Sequence, residues 1–196
     1  MQAKQLCVLI PSLEPDERLP VYVDALLAAD FGQIVIVNDG SSAQYDAIFD
    51  SLAARERCVV LKHEVNRGKG QALRTGVAYI RDHTAFAGVI TADADGQHRP
   101  EYIAPLLARL NDGYDIVIGS RFVTQRKPFT LRMVGSYLIS GAIRLTTGKT
   151  IKDPTSGMRI YNRTMIRELA TRINCAPEPD TISSFISRGA RVDEIQ

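Results

Sequence analysis

Short apolar runs rich in β-branched residues alternate with segments of helical periodicity along this chain. Five runs are predicted to be strands: Leu6–Ile10, Ile34–Val37, Val59–Leu61, the run that starts at Gly88, and Asp115–Ile118. The segments between them carry apolar residues spaced three or four apart, which is the pattern of amphipathic helices. Strands that are apolar throughout and separated by helices form parallel sheets with both faces covered. We therefore predict an α/β fold in residues 1–196, with a mostly parallel sheet sandwiched by helices.

Polar motifs lie in the loops that follow three of the predicted strands. These motifs are Asn38-Asp39-Gly40-Ser41, Arg67-Gly68-Lys69-Gly70 and Asp93-Ala94-Asp95. Open α/β sheets bind their ligands at the carboxyl ends of the strands, so the motifs are expected to share one edge. The two acidic motifs also have a structural alternative, in which Asp39, Asp93 and Asp95 cap turns and Gly40 supplies positive φ.

The two acids after the fourth strand predict a metal site. Asp93 and Asp95 lie two positions apart, and in an extended segment this spacing points both side chains the same way. Two convergent carboxylates repel each other unless a cation lies between them. Hard oxygen ligands favour Mg²⁺ or Mn²⁺, and Gln97 could add a carbonyl oxygen. The alternative is that both acids only cap a turn.

The glycine-rich loop that ends at Gly70 is a candidate anion site. Glycine allows a close approach of the backbone to an anion, and the N-terminus of the following helix favours negative charge. The sequence lacks the phosphate-binding loop pattern and the dinucleotide-binding fingerprint, so neither motif accounts for this loop. Arg121 follows the fifth strand and could bind a further phosphate, with a solvated surface arginine as the alternative.

Composition bounds the partners and the location. A net charge of +2 provides no strongly basic surface, so a nucleic-acid partner is not expected. Three scattered cysteines favour a reducing compartment over a disulfide framework.

The N-terminus has no signal-peptide pattern, and no apolar run reaches the roughly 20 residues that span a bilayer. We expect a cytoplasmic protein, with a peripheral position at the inner face of the membrane as the second option. Residues 191–196 resemble a strand cut short, which suggests a longer parent protein.

The apolar segment 131–145 has two interpretations. It could lie in a membrane interface beside a lipid-linked acceptor. Alternatively, it packs against the domain or against a partner subunit of a homo-oligomer. We favour packing because the apolar face of a helix usually faces a core.

The motifs, taken together and in order, resemble one family over nearly the whole chain. The matching segments are Ile10-Pro11, Val37–Ser41, Asn66–Gly70, Ala92–His98, Pro100-Glu101, Gly119–Arg121 and Asp153–Arg159. The sequence resembles the inverting family 2 glycosyltransferases of the GT-A fold, in the dolichyl-phosphate mannosyltransferase-like branch that uses polyprenyl phosphates. The resemblance implies transfer from a UDP- or GDP-linked sugar to a lipid phosphate, with a glycan acceptor as the alternative.

The resemblance also implies a role for each matching residue. The donor nucleotide would be bound by Pro11, Asp39, Lys69, Asp93 and Ala94, with Asp39 at the nucleoside. The divalent metal would be held by Asp93, Asp95 and Gln97. The catalytic residues would be Asp95, Arg121 and Asp153. The acceptor would be bound by Arg132, Ser136 and Arg159, with Ser156 and Gly157 in the same acceptor-side segment.

Two departures from the family pattern concern specificity. Pro11-Ser12-Leu13-Glu14-Pro15 lacks the Tyr and Asn that often follow the first strand, and 176–180 lacks the usual aromatic residues. A phosphate acceptor needs only positioning, whereas a hydroxyl acceptor needs a general base. Candidate bases are Asp153, Glu178 and Asp180, whereas the three histidines, including His98 beside the acids, are weaker candidates.

Two rival classes are a nucleotidyltransferase that forms sugar nucleotides and a noncatalytic subunit that binds them. The first should carry a glycine-rich loop with arginine after the first strand, which is absent here. The second would be favoured by loss of Asp93 or Asp95, and both acids are present.

Overall fold

The computed structural model describes residues 1–120, 131–171 and 179–196, without the side chains of 131–134 and 179–180. The strands are β1 (Leu6–Ser12), β2 (Gln33–Asn38), β3 (Cys58–Lys62), β4 (Gly88–Thr91), β5 (Ile116–Gly119), β6 (Arg159–Asn162) and β7 (Val192–Ile195). The α-helices are α1 (Arg18–Ala28), α2 (Asp46–Ala53), α3 (Lys69–His83), α4 (Pro100–Asn111), α5 (Leu131–Thr147), α6 (Arg163–Thr171) and α7 (Pro179–Ser187).

The seven described strands form one sheet in the order β3-β2-β1-β4-β6-β5-β7. All pairs are parallel except those of β6, which runs antiparallel to both β4 and β5. The predicted mostly parallel sheet is therefore confirmed. The antiparallel β6 was not predicted, because the sequence was interpreted there through a family motif and not through periodicity.

Helices cover both faces of the sheet, as predicted. One layer of buried side chains lies beneath α1, α2 and α4, and the other lies beneath α3, α6 and α7. Alternation along β1 sends Leu9 into the second layer and Ile10 into the first. Complete burial of such a side chain stabilises a fold by about 1.5–3 kcal/mol relative to exposure.

A close contact brings α3 against β1. A Cβ added at Gly76 would lie 2.1 Å from Cδ1 of Leu9, so only glycine allows this approach without rearrangement. Because α3 follows the carboxyl end of β3 and packs back along the sheet, its N-terminus at Lys69 lies at the edge where β1, β2 and β4 end. This packing places the predicted anion loop beside the other polar motifs.

The helix α5 packs on the domain through part of its surface. Ile143 is buried in the second core layer, whereas Leu138 and Leu145 are 71% and 89% exposed. The packing interpretation is therefore correct for one face, and the opposite face presents leucines to the outside. Within the described parts of the chain, every helix is too short or too polar to cross a bilayer.

Candidate functional site

A cleft of about 260 Å³ opens at the carboxyl edge of the sheet. Its lining residues are Pro11, Ser12, Leu13, Asp39, Asn66, Gly68, Lys69 and Asp93. Four residues with a predicted nucleotide-binding role therefore meet here: Pro11, Asp39, Lys69 and Asp93. The fifth, Ala94, packs its side chain against the core layer beneath α1 and α4.

The carboxylate of Asp39 is positioned by protein contacts through one of its oxygens. Asp39 is 3% exposed, and its Oδ1 accepts the backbone N–H of Arg67 at 3.0 Å and lies 2.7 Å from Nδ1 of His63. An ionised carboxylate can only accept hydrogen bonds, so Nδ1 carries the proton in this pair. Oδ2 makes no hydrogen bond to any residue that the structure describes, and it is the oxygen available to a ligand.

His63 links Asp39 to the helix α3. The ring is 7% exposed, and its Nε2 lies 2.9 Å from the hydroxyl of Thr75. Sequence analysis considered the histidines only as weak candidate bases and singled out His98, so the contact of His63 with Asp39 was not predicted. The available signal was its position, since His63 lies two residues after the predicted third strand and so at the ligand-binding edge.

His63→Ala is expected to weaken nucleotide binding about tenfold, because the Asp39 carboxylate loses one of its two partners. The free energy of unfolding should also fall by about 1–3 kcal/mol, the usual cost of an unpaired buried polar group. Calorimetric titration with UDP and GDP measures the first effect, and thermal denaturation measures the second.

His63→Asn should retain more nucleotide affinity than His63→Gln, since the Asn amide can take the place of Nδ1 and the Gln amide takes the place of Nε2. This order of nucleotide affinities would indicate that His63 acts by positioning the Asp39 carboxylate and not only by filling space in the core. The control is His83→Ala, which removes an exposed histidine stacked on Tyr79 at the far end of α3. Equal affinity in all three His63 variants and the wild type would contradict the prediction.

The predicted anion loop lies at the N-terminus of α3. Gly68 caps this helix with a φ of +87°, a conformation that glycine adopts without strain. The Lys69 ammonium forms an ion pair with Oδ1 of Asp93, and the two side chains are 55% and 34% exposed. The ammonium and the helix N-terminus make this side of the cleft electropositive.

The carboxylate of Asp93 lies against the backbone of Gly157. A Cβ added at Gly157 would lie 2.4 Å from Oδ2 and 2.7 Å from Oδ1 of Asp93. The hydroxyl of Thr91, at the end of β4, donates to the Gly157 carbonyl oxygen at 2.9 Å. The acceptor-side segment implied by the family resemblance therefore borders the first acid of the predicted metal site.

The chain turns at the second acid instead of continuing extended. The strand β4 ends at Thr91, and Oδ1 of Asp95 accepts the Gln97 N–H at 3.0 Å within a turn. The argument from extended spacing is therefore wrong, because Asp95 caps a turn here. Gln97 is exposed at the outer side of this turn.

Two hydrogen bonds tie this acidic turn to the rest of the domain. The Asp93 N–H donates to Nδ1 of His98 at 2.9 Å, and the Tyr22 hydroxyl donates to the His98 carbonyl oxygen at 2.6 Å. Burial, and then the carboxylates of Asp93 and Asp95, raise the pKa of Tyr22 above its ordinary value. The hydroxyl therefore keeps its proton and remains a donor at neutral and mildly alkaline pH.

The donor set of the acidic turn fits a divalent cation shared with phosphate oxygens. It offers two partly exposed carboxylates, and the described residues hold no cluster of three or more His, Cys, Asp or Glu that could bind a metal. Mg²⁺ is commonly held by one or two carboxylates together with substrate phosphates and water. The metal-ligand roles of Asp93, Asp95 and Gln97 stay predictions.

The predicted acceptor-side residues are largely buried. Asp153 is fully buried and donates its N–H to Oε1 of Glu194, while Ser136 on α5 is 2% exposed. The Arg159 guanidinium donates to the carbonyl oxygens of Pro154 at 2.6 Å and Ser156 at 3.0 Å. In the structure, Arg159 therefore stabilises the loop before β6, and its role toward substrate stays a prediction.

The side chains of four further candidate residues are not among those that the structure describes. Arg121 and Glu178 lie outside the described residues, and the side chains of Arg132 and Asp180 are also outside them.

The sequence model of Glycosyl transferase family 2 matches residues 7–170 of this chain. The chain belongs to glycosyl transferase family 2. This membership agrees with the resemblance inferred from the motifs, and the matched range includes every residue of the cleft.

Relatives in the family include enzymes named for lipid-phosphate acceptors. The chain is 28% identical over 191 residues to a UDP-N-acetylglucosamine--dolichyl-phosphate N-acetylglucosaminyltransferase of Methanococcus voltae, covering 88% of this chain and 75% of that protein. It is 32% identical over 169 residues to a polyprenol monophosphomannose synthase of Mycolicibacterium smegmatis, covering 83% and 63%. The chain spans between 41% and 75% of the length of such relatives.

Solved structures share the fold at low identity. A glucosyl-3-phosphoglycerate synthase from Mycobacterium tuberculosis, in complex with Mn²⁺, UDP and phosphoglyceric acid, superposes with a TM-score of 0.69 at 19% identity, covering 96% of this chain and 67% of that one. A mannosyl-3-phosphoglycerate synthase from Rubrobacter xylanophilus gives 0.67 at 16% identity, covering 97% and 66%. The fold of this family 2 chain is therefore the GT-A fold.

Proposed function

We propose that this chain transfers a sugar from a nucleotide diphosphate sugar to a polyprenyl phosphate, with inversion at the anomeric carbon. The observation that carries the proposal is the convergence of Asp39, Lys69 and Asp93 on one cleft at the carboxyl edge of the sheet. The cleft combines an oriented carboxylate, a cation at a helix N-terminus and an acid on an exposed turn. These are the groups that a nucleoside, a diphosphate and a divalent metal require.

The donor nucleotide would lie along the cleft from Asp39 to the acidic turn. Oδ2 of Asp39 would accept a hydrogen bond from a ribose hydroxyl or a base N–H. Lys69 and the N-terminus of α3 would bind the diphosphate, since both favour negative charge. Calorimetric titration with UDP and with GDP would identify which base the cleft binds.

The chemistry depends on the charge that develops on the leaving diphosphate. Mg²⁺ or Mn²⁺, held by Asp93 and Asp95 with Gln97 nearby, would supply electrostatic stabilisation of that charge. Lys69 adds a second positive charge on the same side. The close contact of Gly157 limits the positions open to the Asp93 carboxylate, so it remains directed at the cleft. Attack from the opposite face of the sugar inverts the anomeric centre.

The acceptor proposal rests on chemistry and on relatives. Two relatives are named for dolichyl phosphate and polyprenol acceptors. A phosphate acceptor is already anionic and needs no strong general base. Arg121 and Arg132 are proposed to hold its head group, because guanidinium binds phosphate through paired donors. The exposed leucines of α5 would face the lipid chain or the membrane interface, giving the protein a peripheral position.

Arg132→Glu is expected to raise the KM for a polyprenyl phosphate about tenfold to a hundredfold while donor affinity stays near wild type. This range corresponds to losing a charge-assisted hydrogen bond of about 1.5–3 kcal/mol. The measurement is initial transfer rate against a short-chain polyprenyl phosphate in detergent. The control is Arg144→Glu, the same change at an exposed site later in α5.

Two results would count against a lipid-phosphate acceptor. One is unchanged transfer by Arg132→Glu. The other is loss of activity toward a soluble sugar acceptor on Glu178→Gln or Asp180→Asn alone, which would favour an oligosaccharide-extending transferase that uses a general base.

A further inference from the structure

The Lys69 ammonium is paired with the first acid of the proposed metal site. Its Nζ pairs with Oδ1 of Asp93, and the backbone of Gly157 lies directly against the same carboxylate. Both groups limit access to the first acid of the metal site. A divalent cation that binds Oδ1 of Asp93 therefore competes with the ammonium for this oxygen.

The second acid, Asp95, does little to offset the pairing of Asp93 with Lys69. Oδ1 of Asp95 already accepts the Gln97 N–H, so one of its lone pairs is used within the turn. The described residues contain no third acidic or imidazole group in a metal-binding cluster. In the free protein, the acidic turn is thus an incomplete and partly neutralised cation site.

A nucleoside diphosphate would change the competition between Lys69 and a metal ion for Asp93. Its phosphate oxygens carry more negative charge than one carboxylate, and they would lie at the N-terminus of α3, where Lys69 begins the helix. Lys69 is 55% exposed, so its side chain has room to move from Asp93 to the diphosphate. The same phosphates would supply the metal ligands that the protein lacks.

We propose that Lys69 is an internal counter-ion that couples metal binding to nucleotide binding. The ammonium neutralises Asp93 in the free protein and transfers to the diphosphate when the donor binds, which releases Asp93 to the metal. Since binding linkage is reciprocal, the metal raises nucleotide affinity by the same factor by which the nucleotide raises metal affinity. This inference rests on the proposed function and adds an order to its binding steps.

Mn²⁺ titrations followed by electron paramagnetic resonance, with and without UDP or GDP, test the coupling. For the wild type, nucleotide should raise Mn²⁺ affinity at least tenfold. Lys69→Gln should raise Mn²⁺ affinity without nucleotide about fivefold, the scale of a partly exposed ion pair, and should reduce the coupling factor. Lys69→Arg keeps the charge and should keep the coupling.

Lys62→Gln is the matched control. Lys62 pairs with Asp46 at 2.8 Å, with exposures of 57% and 41%, and neither residue lines the cleft. This variant removes one positive charge without freeing Asp93, so Mn²⁺ affinity should match that of the wild type.

The contrary outcomes separate the two proposals. If Lys69→Gln has wild-type Mn²⁺ affinity and coupling while nucleotide still binds, the counter-ion role is wrong and the donor site stands. If the Lys62 and Lys69 variants increase Mn²⁺ affinity equally, the effect is general charge and the inference is also wrong. If neither the wild type nor any of the variants binds UDP or GDP, with or without Mn²⁺, the proposed function is wrong.

Discussion

Asp93→Asn is expected to reduce sugar transfer about a thousandfold while the protein remains folded. An amide is a much weaker ligand for Mg²⁺ or Mn²⁺ than a carboxylate, and metal stabilisation of a leaving group contributes several kcal/mol, with about 1.4 kcal/mol for each tenfold in rate. Asp93 is partly exposed just before the turn that contains Asp95, so loss of its charge should not disturb the core. Initial rates at saturating donor and metal test the first expectation, and thermal denaturation tests the second.

Asp95→Asn separates a metal-binding role from a turn-capping role. The Asn side chain keeps an oxygen that can accept the Gln97 N–H, so the turn should persist while the charge is lost. We expect Mn²⁺-dependent donor binding to disappear in this variant, as in Asp95→Ala. Asp46→Asn provides the same chemical change at an exposed acid away from the cleft. Retention of Mn²⁺-dependent nucleotide binding by Asp95→Ala would show that the assignment is wrong.

Gly157→Ala should weaken Mn²⁺-dependent nucleotide binding about a hundredfold with little change in melting temperature. The new Cβ would lie 2.4 Å from an Asp93 carboxylate oxygen, so the carboxylate must move away. The displaced atoms are the end of a partly exposed side chain, and the cost therefore falls on the site more than on the fold. Displacements of about 1 Å at reacting groups can cost a hundredfold in enzymes.

Gly141→Ala is the control for this substitution. Gly141 lies in α5, and an added Cβ would meet no described atom within 4 Å beyond its chain neighbours and the backbone of its own helix. Alanine also favours helix. Equal nucleotide affinity in Gly157→Ala and the wild type would mean that Asp93 tolerates the displacement. A large fall in melting temperature would instead indicate that the segment before β6 supports the fold.

Local patterns predicted the elements of this fold well. Among the periodic apolar residues of these segments are Leu19 and Val23 in α1 and Leu73 in α3, and all three are buried. Periodicity carries this information because a helix or strand must turn its apolar side to a core. The sharing of one edge by the polar motifs followed from the rule that parallel strands place their carboxyl ends together.

Contacts between distant segments were beyond sequence reasoning. The pairing of His63 with Asp39 and of Lys69 with Asp93 links residues on successive loops, and Gly157 meets Asp93 through the late strand β6. None of these contacts leaves a periodic signal. The turn at Asp95 was mispredicted because an extended conformation was assumed beyond the end of β4.

The place of β6 in the sheet has a consequence for biosynthesis. The strand β6 lies between β4 and β5 although it follows both in sequence. During translation, β4 and β5 therefore emerge with open edges that no later strand has yet joined. Non-local pairing of this kind slows folding, and unpaired edges favour aggregation in the meantime. On the ribosome, the nucleoside side of the cleft can form early, whereas Asp93 meets Gly157 only after the 153–159 segment has been synthesised.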